Sequence, residues 1–104
     1  MINSKNKGKI GELEIANYLK DKGFNARRGQ QYSGSPDSPD VICEDWPDIH
    51  IEVKRVEKLN IEDALQQSTR DSNTSQTPIV IHRKNREKWK VTLWLDDFID
   101  LYQD

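Results

Sequence analysis

The stretch Asp48-Ile49-His50-Ile51-Glu52-Val53-Lys54-Arg55 decides how the rest of the chain is read. Ile49, Ile51 and Val53 alternate with His50, Glu52 and Lys54, which is the period-two pattern of a β-strand. One face is apolar. The other carries an imidazole, a carboxylate and an amine. Side chains two apart on a strand point the same way, about 6.6 Å apart at their Cα atoms. Glu52 and Lys54 therefore face one site. Alone, such a pair on an open sheet face is a surface ion pair worth about 0–1 kcal/mol. His50 shares that face and is expected to be a solvent-facing strand residue.

Downstream, Asn60 has the chemistry of a helix N-cap, with Glu62 and Asp63 in the first turn. Ile61, Ala64, Leu65 and Ser68 mark the inward face of a helix running to about Asp71. A polar loop leads to a strand over Pro78–His82 with an Ile79-Val80-Ile81 core. After a turn at Asn85–Glu87, Trp89, Val91, Leu93 and Leu95 alternate in a last strand. Asp96 is expected to cap a final helix with Phe98, Leu101 and Tyr102 as its apolar positions. Upstream, Glu44–Pro47 is a turn and Asp40–Cys43 a short, buried strand. Gly29–Pro39 is rich in Gly, Ser, Pro and Gln and reads as loop. Phe24–Arg28 is a strand candidate. Residues 8–22 read as a helix. Ile10, Leu13, Ala16 and Leu19 recur at threes, Ile15 and Tyr18 widen the stripe, and Gly23 stands at the C-terminal glycine position. The order α-β-β-β-α-β-β-α predicts an α/β fold, a mixed sheet with helices packed on it.

The 104 residues suffice for one domain. No apolar stretch approaches the roughly 20 residues of a membrane span. The start of the chain carries no apolar signal-peptide core, so a cytoplasmic protein is expected. The single cysteine, Cys43, excludes an internal disulfide or a Cys-rich zinc site and reads as a small buried hydrophobe. Net charge is −2, yet the last nine residues, Asp96 to Asp104, hold four acids and no base. Over the remainder, bases outnumber acids 16 to 14. The bases come in groups, and phosphate binding depends on local potential rather than the chain total.

Two further acids join the Glu52-Lys54 pair. Asp40, after Pro39, opens a short apolar strand, and the link to the next strand is short enough for a hairpin. Pairing would bring Asp40 and Glu52 together, and a divalent cation relieves the repulsion of two such carboxylates. Pro36-Asp37 is a second such pair in the same loop. Asp40 is preferred because an apolar strand follows it. Glu12 stands at the edge of the first helix's apolar stripe, where an unpaired acid is costly. Glu14 points elsewhere.

Pro39-Asp40 followed by Glu52-Val53-Lys54 resembles the PD-(D/E)XK nuclease superfamily. More narrowly, the chain is similar to Holliday-junction resolvases of archaeal type and small phage-encoded relatives. The resemblance runs from Lys7 to about Asn85. It rests on Gly11-Glu12, Gly23-Phe24, Arg27-Arg28, Ser33-Gly34, Asp40, Ile51-Glu52-Val53-Lys54 and a glutamine on the next helix. It implies a restriction-endonuclease-like αβββαβ core, here with an extra C-terminal strand and short helix. It also implies roles. Asp40, Glu52 and the backbone carbonyl of Val53 would ligate Mg²⁺, with Mn²⁺ able to substitute. Lys54 would orient or activate the attacking water. Glu12 would complete the site through a water, and Gln67, rather than Gln66, would touch the site or the DNA backbone. Ser33 would contact the scissile strand, and Arg27, Arg28, Arg55, Lys58 and Arg83 would contact phosphates.

The expected function is metal-dependent hydrolysis of DNA phosphodiester bonds, on branched DNA such as Holliday junctions. A near two-fold symmetric junction calls for a homodimer. The alternatives are a nickase or repair or packaging nuclease of this fold, and a DNA-binding or assembly protein that does not cleave. His82, before Arg83-Lys84, is a further candidate DNA contact, balanced against an ordinary surface position. Trp46 reads as a lid on the core edge. Trp89 and Trp94 lie out of phase, so one faces in, and the other can stack a base or sit in an interface.

Overall fold

The structure, a computed structural model, describes residues 4–29 and 39–103, the first four of these by their backbone alone. Ser33 and Asp37 lie outside the described residues. The elements are α1 (Ser4–Asp21), β1 (Ala26–Arg28), β2 (Val41–Cys43), β3 (Ile49–Arg55), α2 (Ile61–Asp71), β4 (Thr77–Arg83), β5 (Lys90–Thr92) and α3 (Leu95–Tyr102). The strands form one mixed sheet in the order β1-β2-β3-β4-β5. β1, β2 and β3 are antiparallel neighbours, as are β4 and β5, whereas β3 and β4 run parallel. A parallel pair cannot be joined by a tight turn, and α2 is the crossover that returns the chain.

Both faces of the sheet are covered. α1 lies on one, where Ile15, Leu19, Ala26, Val41, Cys43, Ile51, Val53, Ile79 and Ile81 form the main core. Each large aliphatic buried there contributes on the order of 1.5–3 kcal/mol. α2 lies on the other, with Ala64 and Leu65 packed on Val80. Ser68 Oγ donates to Ile79 O at 3.0 Å, fixing the helix on β4. Asn60 caps α2 as its sequence suggests, its side chain accepting from Asp63 N at 3.1 Å.

Four expectations change. The polar face of β3 is not open: α2 covers it, leaving His50 0% and Glu52 2% exposed. α1 is rotated from the threes pattern. Its inward residues are Gly11, Glu12, Ile15, Ala16 and Leu19, while Ile10, Leu13 and Tyr18 face out. Gly11 favours the rotation, because a Cβ there would stand 3.1 Å from Arg55 Cβ, tighter than ordinary contact, and glycine lets α1 come this close to β3 without that crowding. β5 is shorter than the alternation over Trp89–Leu95 suggests. α3 begins after Trp94, so Asp96 lies in its first turn rather than capping it, and none of its residues is buried.

The tryptophans divide as their phase requires. Trp89 packs toward the α1 core and Trp94 toward the α2 core. Trp94 Nε1 donates to Thr69 Oγ1 at 2.9 Å, tying the chain before α3 to α2. Trp46 packs on the core edge beside Phe24, ring centroids 4.8 Å apart. Cys43 is buried.

Candidate active site

Antiparallel pairing of Val41 with Ile51 sets Asp40 opposite Glu52 across the β2–β3 hairpin. Three backbone contacts hold Asp40 in place. Its N–H donates to Ile51 O at 3.0 Å and its carbonyl accepts from Gly29 N at 2.8 Å. Its carboxylate Oδ2 accepts from Val53 N at 2.9 Å. Gly29 is obligatory beside it: a Cβ at that position would lie 2.0 Å from Pro39 O.

Asp40 is buried, and its carboxyl is pushed up from 3.8 to about 8. Burial is the largest cause and the Glu52 charge the next. The Val53 N–H works the other way, while the hydrogen bond shared with Glu52 and the charge of Glu12 raise it further. At neutral pH Asp40 thus keeps its proton and donates it to Glu52. A carboxylate pair that can ionise only one partner is the electrostatic deficit that a divalent cation fills, releasing the proton as it binds.

Glu12 reaches the same place from α1. It is buried, and its Oε1 accepts from Arg28 Nε at 2.8 Å. The burial expected from its stripe position is thus present, and Arg28 compensates its charge. Lys54 is half-buried on β3, next after Glu52 on the α2 face, and its β4 neighbour in register is His82. Gln67 is half-buried on α2, whereas Gln66 is exposed and donates to Glu62 Oε2 at 3.2 Å.

The basic residues named for phosphate contact are mostly engaged with acids. Arg27 pairs with Glu44. Glu14 is not idle: its Oε2 accepts from Arg83 Nη2 at 2.6 Å. Its Oε1 stands 3.1 Å from Arg55 Nε, a charge contact whose N–H is not aligned as a hydrogen bond. Arg83 also lies over Trp89, 5.2 Å from the ring centroid. Lys58 is exposed. His82 shares a 2.8 Å hydrogen bond with Thr92 Oγ1, and burial together with Lys90 lowers its pKa.

Two residues that the sequence left outside the expected site stand beside Glu52. His50 Nε2 and Glu52 Oε1 share a hydrogen bond at 3.1 Å, and the last residue of α2, Asp71, approaches both. One ligating atom from each of His50, Glu52 and Asp71 falls within a 4.8 Å span, the one such group of three among the described residues. The in-phase alternation of His50 with Glu52 was the available signal. Recognising that a parallel β3–β4 pair is covered on both faces would have turned that signal into burial. The donor set around Glu52, carboxylates with one imidazole, suits a divalent cation.

A family model described as archaeal Holliday junction resolvase (Hjc) matches residues 3–98. The chain belongs to this family. Its members are metal-dependent endonucleases that resolve branched DNA, and this chain is such a nuclease. Among solved structures, it is similar to Hjc, a Holliday junction resolvase from Archaeoglobus fulgidus. That likeness has a TM-score of 0.58 at 24% identity over 84% of this chain and 72% of the other. It shows the shared fold, with the mixed sheet and flanking helices expected from the order of elements. No curated protein matches the chain. Among the described residues, no helix is long and apolar enough to cross a membrane.

Proposed function

We propose that this resolvase cuts four-way DNA junctions at the Asp40–Glu52 pair, as an intracellular homodimer using Mg²⁺, with Mn²⁺ able to replace it. The observation that carries the reading is the buried apposition of Asp40 and Glu52, which leaves a proton on Asp40 near neutral pH. Asp40, Glu52 and the Val53 carbonyl would hold the ion, which would supply Lewis-acid and water-activating chemistry at the scissile phosphate.

The remaining work belongs to the chain. Lys54 sits in the same strand phase as Glu52, which supports a role in which its ammonium would orient the water and offset charge gathering on the phosphorane. Arg28 holds Glu12 so that its carboxylate can orient a water at the edge of the site. Gln67 offers an amide to the site or the DNA backbone. Ser33 contacts the scissile strand, and Arg27, Arg28, Arg55, Lys58 and Arg83 contact phosphates. Arg27, Arg55 and Arg83 exchange carboxylate for phosphate as DNA arrives while Arg28 keeps Glu12, which makes binding steeply salt-dependent.

The dimer is supported by an apolar face that no described residue covers. Leu95 is 70% and Tyr102 82% exposed on α3, with Phe98, Ile99 and Val91 also exposed. Beside them runs a groove of about 590 Å³ lined by Trp46, Ile49, Ile79, Leu93 and Leu101, among others. Exposed apolar surface of this kind marks interaction sites, and a two-fold substrate needs two active sites facing opposed strands.

The test is cleavage of four-way junction, flap and linear duplex with Mg²⁺, comparing wild type with Asp40→Asn. Junction cutting that disappears in Asp40→Asn is the expected result. Cutting that survives the substitution rejects the site, and equal cutting of duplex and junction rejects the substrate.

A further inference from the structure

His50 is the most deeply placed side chain on the α2 face of β3, and the hydrolytic site above does not use it. Its residue surface is fully buried. Nε2 is engaged with Glu52, but Nδ1 has no hydrogen-bond partner among the described residues. Neither neutral tautomer resolves this. With the proton on Nε2, a bare lone pair is buried at Nδ1. With the proton on Nδ1, an unpaired N–H is buried and a lone pair faces the Glu52 oxygen. A buried polar atom left unpaired is destabilising, and a native structure keeps one where something else satisfies it.

Asp71 supplies the second argument. It ends α2, where the helix already presents the negative pole of its dipole, a position that disfavours an acid. Here that acid is brought toward Glu52, a second carboxylate. One ring nitrogen of His50 and one carboxylate oxygen each from Glu52 and Asp71 thus converge in the same small space. Ligands on one ion at about 2.1 Å stand up to about 4.2 Å apart. The three ligand atoms lie within 4.8 Å of one another, close to that limit.

We propose that His50, Glu52 and Asp71 form a second cation site, sharing Glu52 with the Asp40 centre and taking a borderline transition ion, Mn²⁺ in the first instance. Imidazole among carboxylates favours such an ion over Mg²⁺, which prefers oxygen donors and holds its waters tightly. The proposal shares Glu52 with the hydrolytic reading but does not need Asp40.

The test is an equilibrium Mn²⁺ titration of the full chain, with free Mn²⁺ read by EPR and bound Mn²⁺ probed by pulsed EPR for nitrogen coupling. Wild type is expected to bind two ions, one of them coupled to an imidazole nitrogen. Asp71→Asn and His50→Gln should each weaken that ion by about tenfold or more, with the nitrogen signal lost in His50→Gln. Asp40→Asn should remove the other ion and keep the nitrogen-coupled one. If wild type binds a single, nitrogen-coupled ion and Asp40→Asn leaves it in place, the cation site stands and the Asp40 reading fails. If His50→Gln and Asp71→Asn bind as wild type does and no nitrogen signal is seen, the cation site is refuted, whatever Asp40→Asn does. Circular dichroism checks the fold of each variant. Should His50→Gln not fold, Asp71→Asn, altering a half-buried helix end, decides alone.

Discussion

Asp40→Asn should stabilise the metal-free protein while abolishing cleavage, and the two effects share one cause. In the folded chain the Asp40 carboxyl is raised from 3.8 to about 8. Between these values the folded state therefore binds more protons at this position than the unfolded state. Stability must then fall as pH rises through this window, and recover as pH drops toward 4. From about pH 5 to about pH 8 the proton uptake costs the wild type on the order of 3–4 kcal/mol, at about 1.4 kcal/mol per pH unit. Asparagine removes this cost. Its Oδ1 can still accept from Val53 N, and its amide can donate to Glu52 as the protonated acid does. The assay is urea unfolding in EDTA at about pH 5 and about pH 8 for both proteins. The stability advantage of Asp40→Asn should grow by a few kcal/mol toward the higher pH. A constant difference, or one that shrinks as pH rises, would show that Asp40 ionises freely in the fold and that no electrostatic deficit awaits a cation. Adding Mg²⁺ at about pH 8 should stabilise the wild type alone.

Other substitutions probe separate parts of the site. Lys54→Ala should leave Mn²⁺ binding at Asp40 in place while lowering junction cleavage by about 10²–10³-fold; a matched loss of metal binding would move Lys54 from chemistry to structure. Gly29→Ala drives a methyl group into Pro39 O and should cost about 1–3 kcal/mol by overpacking, with cleavage falling further as Asp40 shifts; an unchanged unfolding midpoint contradicts the close approach. Phe98→Asp, on the exposed face of α3, should convert a dimer to monomers by light scattering and uncouple the two junction incisions. Equal masses for the two proteins would place the interface elsewhere.

The α/β order, the N-cap at Asn60, the C-terminal glycine at Gly23 and the Glu52-Lys54 face were all legible in the chain. These depend on periodicity and on residues close in sequence, and such interactions act wherever the segment ends up. Asp40 was legible because a short turn joins its strand to β3, leaving few ways to pair them. Other features had no local signature. The rotation of α1 is favoured by Gly11 meeting Arg55, not by the spacing of Ile10 and Leu13. Glu14 found Arg83 across 69 residues. His50 looked like a solvent-facing residue because alternation reports which side chains share a face, not what covers that face. The parallel β3–β4 pair required α2 as its crossover. Laying α2 over the polar face buried His50 and brought Asp71 to Glu52. An acid three turns along a different helix carries no mark of that meeting in its own neighbourhood. Only the packing of helix on sheet decides it, because burial and charge proximity belong to the assembled fold.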